Sequence, residues 1–311
     1  MTDVSVVIVS YESRALLARC LAALAADTGR SATCEVIVVD QASQDGTAAW
    51  LEAEHPGVRL VALPENVGFG AGNNRGAALA SGRWLLLLNS DAYVCPGAID
   101  ELVRFAESRP AAGIVGPRLL WPDGRLQRSC RRFPTVFRLA TEYLYLRKVA
   151  PRSRILNGFY YGEFAHDEAW RVDWVTGACA LVRRELFERL GGFDEAFFLY
   201  SEEVDLLYRA RRLGAETWFD PGAEVEHEWG GTAGRSSALT LEEQVRGHVR
   251  YIDKHASRAT ARRARSVLLA GLRLRAWRPG SHREAARWLA ARPVEELLAE
   301  TRPPAATRSS T

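Results

Sequence analysis

Asp91 stands just past a run of four leucines, Leu85 to Leu88, and directly after Asn89 and Ser90. A carboxylate on a loop at the tip of a buried strand suits a hard cation, Mg2+ or Mn2+, with substrate phosphates completing the shell. The same residue can also serve as a turn former ahead of Pro96. A second acidic group, Glu202 and Glu203, follows the apolar and aromatic stretch "FDEAFFLY". In the first turn of a helix these carboxylates complement its dipole, with Ser201 placed to cap it and Asp205 and Arg209 spaced to pair. At the edge of an apolar surface their pKa values rise, which is the environment a general base needs. Asp40, ahead of "QASQDGT", reads either as a residue tied up in capping or as an acceptor for a base or a ribose hydroxyl. In "AEVEHEWGG", Val225, His227 and Trp229 share one face of a strand and three glutamates the other. A histidine there is a core residue or, with Gly230 and Gly231 opening a loop behind it, part of a site.

The glycine-rich "ENVGFGAGNNRG" (65–76) fails as a dinucleotide fingerprint, because the third glycine position falls on Asn73 or on Arg75. It remains either a turn opening a helix or a loop whose amides and asparagines bind a ligand at a helix N-terminus.

The elements that must position these residues alternate. Apolar runs at 4–10, 34–40, 57–63 and 83–89 are separated by helical patterns at 13–26, 46–54 and 70–81. Strands that are apolar on both faces and alternate with helices imply an α/β fold with a mainly parallel central sheet flanked by helices. In such sheets ligands bind beyond the carboxyl ends of the strands, which gathers Ser10, Tyr11, Asp40, Asn89, Ser90 and Asp91 on one rim. A helix over 97–108 and a strand over 113–116 follow. Residues 117–171 lose periodicity and are read as an insertion on the acceptor side. Strand-like and helical patterns resume from 172, with a helix over 202–213, strands at 215–219 and 224–229, and a helix over 239–256. A basic helix over 258–278 and a shorter one over 282–290 form a C-terminal helical appendage.

At 311 residues, 47% hydrophobic and 25% charged, the chain can bury a large core, and a net charge of +3 calls for no nucleic-acid partner. Five scattered cysteines imply neither a disulfide framework nor a zinc knuckle. No signal peptide and no membrane span is read, so the expected location is the cytoplasm or the inner face of the membrane. The expected divisions are a catalytic domain over 1–256, a basic helical extension over 257–301 and a disordered tail over 302–311.

Taken in order, "VSVVIVSYES", "VIVVDQASQDGT", "ENVGFGAGNNRG", "LLLLNSDAYV", "TGACALVRRELFERLGGFDEAFFLYSEEVDLLYRARRLG" and the later His227 resemble glycosyltransferase family 2, and especially its rhamnosyltransferase-like members. The resemblance covers residues 3–255 and implies a GT-A fold and inverting transfer from a nucleotide-sugar donor, with dTDP-rhamnose ahead of UDP-sugars. It implies that Ser10, Tyr11, Glu12 and Asp40 hold the nucleotide and that Asn66, Gly68 and Asn73 line the donor pocket. "NSD" occupies the place of the family's metal-binding DxD-like element, so Asn89 and Ser90 flank the donor and Asp91 ligates a divalent cation, with His227 as a further ligand. Asn89 replaces the first aspartate of that element. The acidic pair falls on Glu202 and Glu203, with Glu203 at the base position where many relatives carry Asp. The implied acceptor is a glycan or a polyprenyl-linked glycan. The mixture of Arg with Leu and Trp277 in 258–278 reads as a peripheral membrane contact or as a helix packed on the catalytic domain. Two other readings use the same residues: a nucleotidyltransferase, and a non-catalytic nucleotide-sugar-binding protein supported by the departures at Asn89 and Glu203.

Overall fold

The structure is a computed structural model and describes residues 2–27, 31–162, 164–228, 237–277 and 280–299. Trp229, Gly230, Gly231, Arg278 and the tail 302–311 lie outside the described residues.

The chain runs β1 (Val4–Ser10), α1 (Arg14–Ala26), β2 (Cys34–Gln41), α2 (Thr47–Glu54), β3 (Val58–Leu63), α3 (Phe69–Ala77), β4 (Trp84–Asn89), β5 (Ala92–Val94) and α4 (Ala98–Glu107). Then come β6 (Ala112–Leu120), β7 (Leu126–Gln127), β8 (Cys130–Arg131), α5 (Val136–Tyr143), β9 (Trp170–Val172), β10 (Trp174–Val175), β11 (Cys179–Arg183) and α6 (Arg184–Arg189). The remainder is α7 (Glu202–Arg212), β12 (Glu216–His227), α8 (Ala238–His255), α9 (Arg258–Arg275), α10 (Ser281–Ala291) and α11 (Val294–Ala299).

The central sheet has the order β3-β2-β1-β4-β11-β6-β12-β5. Its first four strands are parallel, and β11 enters antiparallel between β4 and β6. Successive residues along a strand face opposite cores, which explains the continuous apolar runs. Leu86 and Leu88 of β4 join Leu17, Leu21, Ile99 and Leu102 of α1 and α4 on one face. Leu85 and Leu87 join a second cluster that holds Val204 and Leu207 of α7 and Val245 and Val249 of α8. β3 departs from this pattern, since as an edge strand it is half-exposed along its length, and β12 is buried mainly on alternate residues.

Several expectations change. The strands read at 215–219 and 224–229 are one strand, β12, whose register on β6 shifts between Asp220 and Glu224. The aperiodic 117–171 stretch holds β6 beyond its predicted end, two short strands and helix α5, whose start is set by Thr135 accepting the Arg138 N–H. A helix not anticipated, α11, ends the described chain. Ser201 does not cap α7 with its side chain; its backbone is left-handed, and its hydroxyl lies 3.4 Å from His248 Nδ1.

The basic helix α9 spends its apolar side internally. Ala261, Ala264, Leu268 and Leu272 are fully buried in the cluster shared with α5, α8 and α10. Its arginines are partly internal too: Arg265 caps the end of α10 by donating to the carbonyls of Leu289 (2.6 Å) and Arg292 (2.7 Å). Its outer face carries exposed residues such as Arg262, Arg263 and Arg273, and the exposed large apolar side chains are Leu274 in the last turn and Trp277 just past it, 56% and 70% exposed. Among the described residues no helix is long and apolar enough to cross a membrane, and the five cysteines are free thiols.

Helix α7 is locked to α8 through Asp205, which is fully buried. It accepts from Arg209 Nε (2.7 Å) and His255 Nε2 (2.7 Å) and pairs with Lys254 Nζ (2.7 Å). Burial alone would raise this carboxyl, but the hydrogen bonds from His255 and Lys254, with the Arg209 guanidinium, hold it at about 2. Removing one partner of such a cluster leaves buried charge uncompensated. Asp205→Ala should therefore cost about 3 kcal/mol in chemical denaturation. A loss under about 1 kcal/mol would show that the cluster contributes no more than an exposed pair.

Candidate active site

The parallel register places Ser10 beside Asp40 and Val9 beside Asn89, so β1, β2 and β4 end on one rim. The loops there are tightly wired. Asp40 Oδ2 accepts from Ser43 N at 3.3 Å while Oδ1, buried, makes no hydrogen bond within the protein. Glu12 N donates to Ser43 Oγ (2.9 Å) and Glu12 Oε1 accepts from Gln44 N (2.7 Å), which ties the β1 loop to the β2 loop. Ser10 is fully buried and its hydroxyl joins a chain through Ser13 Oγ (2.9 Å) to Ser90 Oγ (3.1 Å). Tyr11 is 43% exposed and free to face a planar ligand. In the glycine-rich segment Asn66 Oδ1 accepts from Gly68 N (3.0 Å), and Asn73, buried, donates to Phe69 O (2.9 Å) within its own helix. Gly68 has φ +94° and a Cβ there would lie 2.4 Å from Phe198 O, so this turn needs glycine.

Beyond Asn89 the chain turns through Ser90 and Asp91 and crosses to the far edge of the sheet, where β5 pairs antiparallel with the end of β12. Ala92 sits opposite His227, and Glu228 N donates to Asp91 O at 3.0 Å. This pairing brings His227 Nε2 to 3.3 Å from Asp91 Oδ1, both side chains being largely buried. On the other side of the ring, Nδ1 lies 2.7 Å from Gln127 Oε1, and Gln127 Nε2 donates to the carbonyl of His227 itself at 3.2 Å. That carbonyl can only accept, so it fixes the amide of Gln127 and assigns the imidazole proton to Nδ1. Nε2 makes no hydrogen bond, and its lone pair faces a carboxylate oxygen. Two acceptors so placed repel unless a cation or a proton lies between them, and the donor set suits a divalent cation.

Helix α7 closes the rim from the other side. A Cβ on Gly70 would contact Glu202 Cβ at 3.5 Å, and one on Gly177 would contact Glu203 Cβ at 3.7 Å. Ala178, next to Gly177, accepts from Asn89 N at 2.9 Å, so Glu203 and Asn89 share one stretch of rim. The two carboxyls differ in exposure. Glu202 is 3% exposed; burial, then the neighbouring Glu203, raise it well above the usual carboxylate range. Glu203 is half-buried and is also raised by burial, against its own backbone hydrogen bonds and the Arg131 guanidinium. One oxygen of each makes no hydrogen bond within the protein, and the same holds for Asn89 Oδ1. Tyr200 stands among the acidic groups. Burial, and next the carboxyl of Glu202, push its phenol up to about 12, with Glu203 and Asp91 adding to the effect and a hydrogen bond to Thr240 opposing it.

Backbone strain marks the same rim. Glu12, Ala42, Tyr200 and Ser201 hold φ between +49° and +71°, a region non-glycine residues rarely adopt. Of these residues the sequence reading singled out Glu12 and Ser201 but missed Ala42 and Tyr200, and it also missed Gln127. The available signal for Gln127 was the turn formed by Pro122, Asp123 and Gly124, which folds β7 back on β6 with Leu119 opposite Gln127. Among the described residues no group of three or more His, Cys, Asp or Glu converges on a metal position.

Comparisons with known proteins bear on the family and the fold. The model of Glycosyl transferase family 2 matches residues 5–191. An N-acetylglucosaminyl-diphospho-decaprenol L-rhamnosyltransferase of Mycobacterium tuberculosis is 34% identical over 253 residues, covering 78% of this chain and 81% of its own. Rhamnosyltransferase WbbL of Escherichia coli K12 is 25% identical over 170 residues, covering 51% of this chain and 60% of its own. Among solved structures, the mannosyltransferase PcManGT of Pyrobaculum calidifontis with GDP-Man and Mn2+ superposes with a TM-score of 0.56 at 19% identity, over 97% of this chain and 86% of that one. GalNAc-T7 with UDP, GalNAc and Mn2+ gives a TM-score of 0.57 at 18% identity over 81% of this chain, which spans only 48% of that protein. These two likenesses establish the GT-A fold. The family match over more than half of the chain, with the Mycobacterium relative beside it, establishes that this protein belongs to glycosyltransferase family 2.

Proposed function

We propose that this glycosyltransferase moves a rhamnosyl group from dTDP-rhamnose, with inversion, to a hydroxyl of a polyprenyl-linked glycan. The observation that carries the reading is Glu203: a half-buried carboxyl with a raised pKa and an unengaged oxygen, on the rim that also holds Asn89, Asp91 and His227. The M. tuberculosis relative, whose name specifies an N-acetylglucosaminyl-diphospho-decaprenol acceptor, supports the substrate class.

In this reading the Glu203 carboxylate accepts the proton of the acceptor hydroxyl as its oxygen bonds the anomeric carbon, and the bond from that carbon to the diphosphate oxygen breaks on the opposite face. Glu203 is preferred over Glu202 because it is the less buried of the pair and lies beside Gly177, on the stretch of rim that carries Asn89. Asp40, through its unengaged Oδ1, accepts from the ribose or the base, and Tyr11 offers its ring to the base. Asp91 and His227 Nε2 would hold a Mg2+ or Mn2+ ion, with Gln127 keeping the imidazole in the ligating tautomer. Such an ion supplies charge neutralisation at the leaving diphosphate. Positioning and electrostatics then account for the acceleration without a covalent enzyme intermediate.

Glu203→Gln should lower transfer to a short polyprenyl-diphospho-GlcNAc acceptor by about 10²–10⁴ while nucleotide binding, read by thermal shift, is kept. The wild-type pH profile of kcat/KM should show an acid limb above the ordinary carboxylate range, because the base must be ionised and burial has raised it. Asp91→Ala should lose any Mn2+-dependent stabilisation by dTDP. Turnover by Glu203→Gln near the wild-type rate would remove it as the base, and transfer from UDP-sugars alone would replace the donor.

Glu202 gives a separate test. Its raised pKa means that the native state keeps the proton while the unfolded chain releases it. Stability is then unaffected below the unfolded-state pKa and falls by up to about 1.4 kcal/mol per pH unit between the unfolded and folded values. Glu202→Gln removes that titration, so its stability relative to wild type should grow as pH rises from about 5 to about 8. A constant difference would show that Glu202 is ionised in the native state.

A further inference from the structure

On the acceptor side of the rim three guanidiniums converge without matching carboxylates. Arg131 lies 5.2 Å and Arg147 5.1 Å from the ring centroid of Tyr160, and Arg275 lies 5.3 Å from that of Tyr143 and 4.3 Å from that of Tyr145. All three act on one phenol: burial raises Tyr160, and Arg131, Arg147 and Arg275 pull it back against Glu142. Glu142 is the one carboxylate in the group and is paired with Arg147, while its carbonyl accepts from Arg275 at 3.1 Å. Among the described residues neither Arg131 nor Arg275 has a carboxylate at ion-pair distance, and the buried Nε of each makes no hydrogen bond. Half-buried guanidiniums held on tyrosine faces are pre-organised for a dianionic ligand, because stacking fixes the planar fork, and Arg131 and Arg275 keep N–H groups beyond the single bond that Arg275 makes to Glu142.

The cluster is continuous with the proposed base. The Arg131 charge reaches Glu203 and His248. The His248 ring is 6.2 Å from that of Tyr143, and its Nδ1 is 3.4 Å from Ser201 Oγ at the head of α7. Exposed apolar residues flank the cluster along the chain. Leu146 and Val149, 39% and 79% exposed, follow α5, and Leu274 in the last turn of α9 and Trp277 just beyond it are 56% and 70% exposed. The two segments meet where Arg275 contacts Tyr143 and Tyr145 and where Gly271 admits Tyr143, whose Cβ would stand 2.5 Å from a Cβ at that glycine.

We infer that Arg131, Arg147 and Arg275 form an acceptor subsite for a prenyl diphosphate, the arginines taking the diphosphate and Leu146, Val149, Leu274 and Trp277 the first isoprene units. The inference rests on the polyprenyl-linked acceptor proposed above and assigns which residues would receive it. It also gives the C-terminal helices a part in the site, since Arg275 and the apolar end of α9 come from them.

The test is calorimetric titration of the full chain with farnesyl diphosphate, farnesol and inorganic pyrophosphate, each with and without saturating dTDP and Mn2+. Farnesyl diphosphate should bind in the presence of dTDP and more tightly than either farnesol or pyrophosphate. Arg131→Gln and Arg275→Gln should each weaken it by about tenfold or more, the loss of a hydrogen bond to a charged group. Arg275→Lys should recover part of the loss, and Arg273→Gln, altering an exposed arginine on the same helix, should change nothing. In turnover these variants should raise KM for the lipid-linked acceptor with little change in kcat. Equal binding of farnesol, displacement by dTDP, or wild-type affinity in both Arg131→Gln and Arg275→Gln would overturn the subsite. The donor reading fails separately, if no nucleoside diphosphate stabilises the wild type while farnesyl diphosphate still binds.

Discussion

A sheet covered on both faces can accept polar side chains only at the ends of its strands. Here β1 and β4 are buried almost end to end, with Val4, Val6, Val7, Ile8, Leu85 and Leu86 wholly inaccessible. A one-residue slip between them would exchange the two cores, so the register is fixed by both packing faces at once. The position of Ser10, Asp40 and Asn89 on a common edge follows from that register without further specification. The rim loops can then carry strained residues such as Glu12 and Ala42, because the strands that feed them do not move.

The same burial divides labour between adjacent carboxyls. Glu202 and Glu203 are consecutive on a helix, so their side chains diverge by about 100° around its axis. One turns against Gly70 and the interior, the other toward Gly177 and the rim. Desolvation raises both, and the neighbouring Glu203 raises Glu202 further, so the pair is disposed to release its two protons in separate steps. Helix α7 can hold this unfavourable pair because Asp205, one turn along, is anchored by Arg209, Lys254 and His255. The anchor and the strained pair thus lie on the same few residues, with stability supplied where reactivity would otherwise remove it.

How much of this was legible in the amino-acid sequence depended on periodicity. The strands β1, β2 and β4 and helix α7 announce themselves, since burial on two faces or on one helical face leaves a regular trace. The rim followed from topology alone. Ser201 misled, because a serine ahead of acidic residues reads as an N-cap, whereas here a left-handed backbone turns its hydroxyl to His248. The basic helix α9 left two readings open, an interfacial helix or one packed on the catalytic domain, and most of it is packed: Leu268 and Leu272 fill a core shared with α5 and α8 and Arg265 caps α10, while Leu274 stays exposed. For Gln127 the local signal reached only as far as the Pro122-Asp123-Gly124 turn, because its importance lies in a partner 100 residues away, and no local pattern encodes that contact.

The segment between β6 and β9 shows why an aperiodic stretch need not be an unstructured one. Its order comes from ring and guanidinium contacts, Arg131 on Tyr160 and Trp174, Arg132 on Tyr161, Arg147 on Tyr160, which have no repeat length. Such contacts hold a surface whose shape and charge can vary while the sheet beside it stays fixed. A transferase must satisfy two demands that differ in kind, since the nucleotide half of its donor is a constant and its acceptor is not. Rigid strand ends answer the first. In the acceptor subsite proposed above, a patch of stacked arginines backed by helices α8 and α9 would answer the second, and it can be altered there without disturbing the pairing of β5 with β12 on which Asp91 and His227 depend.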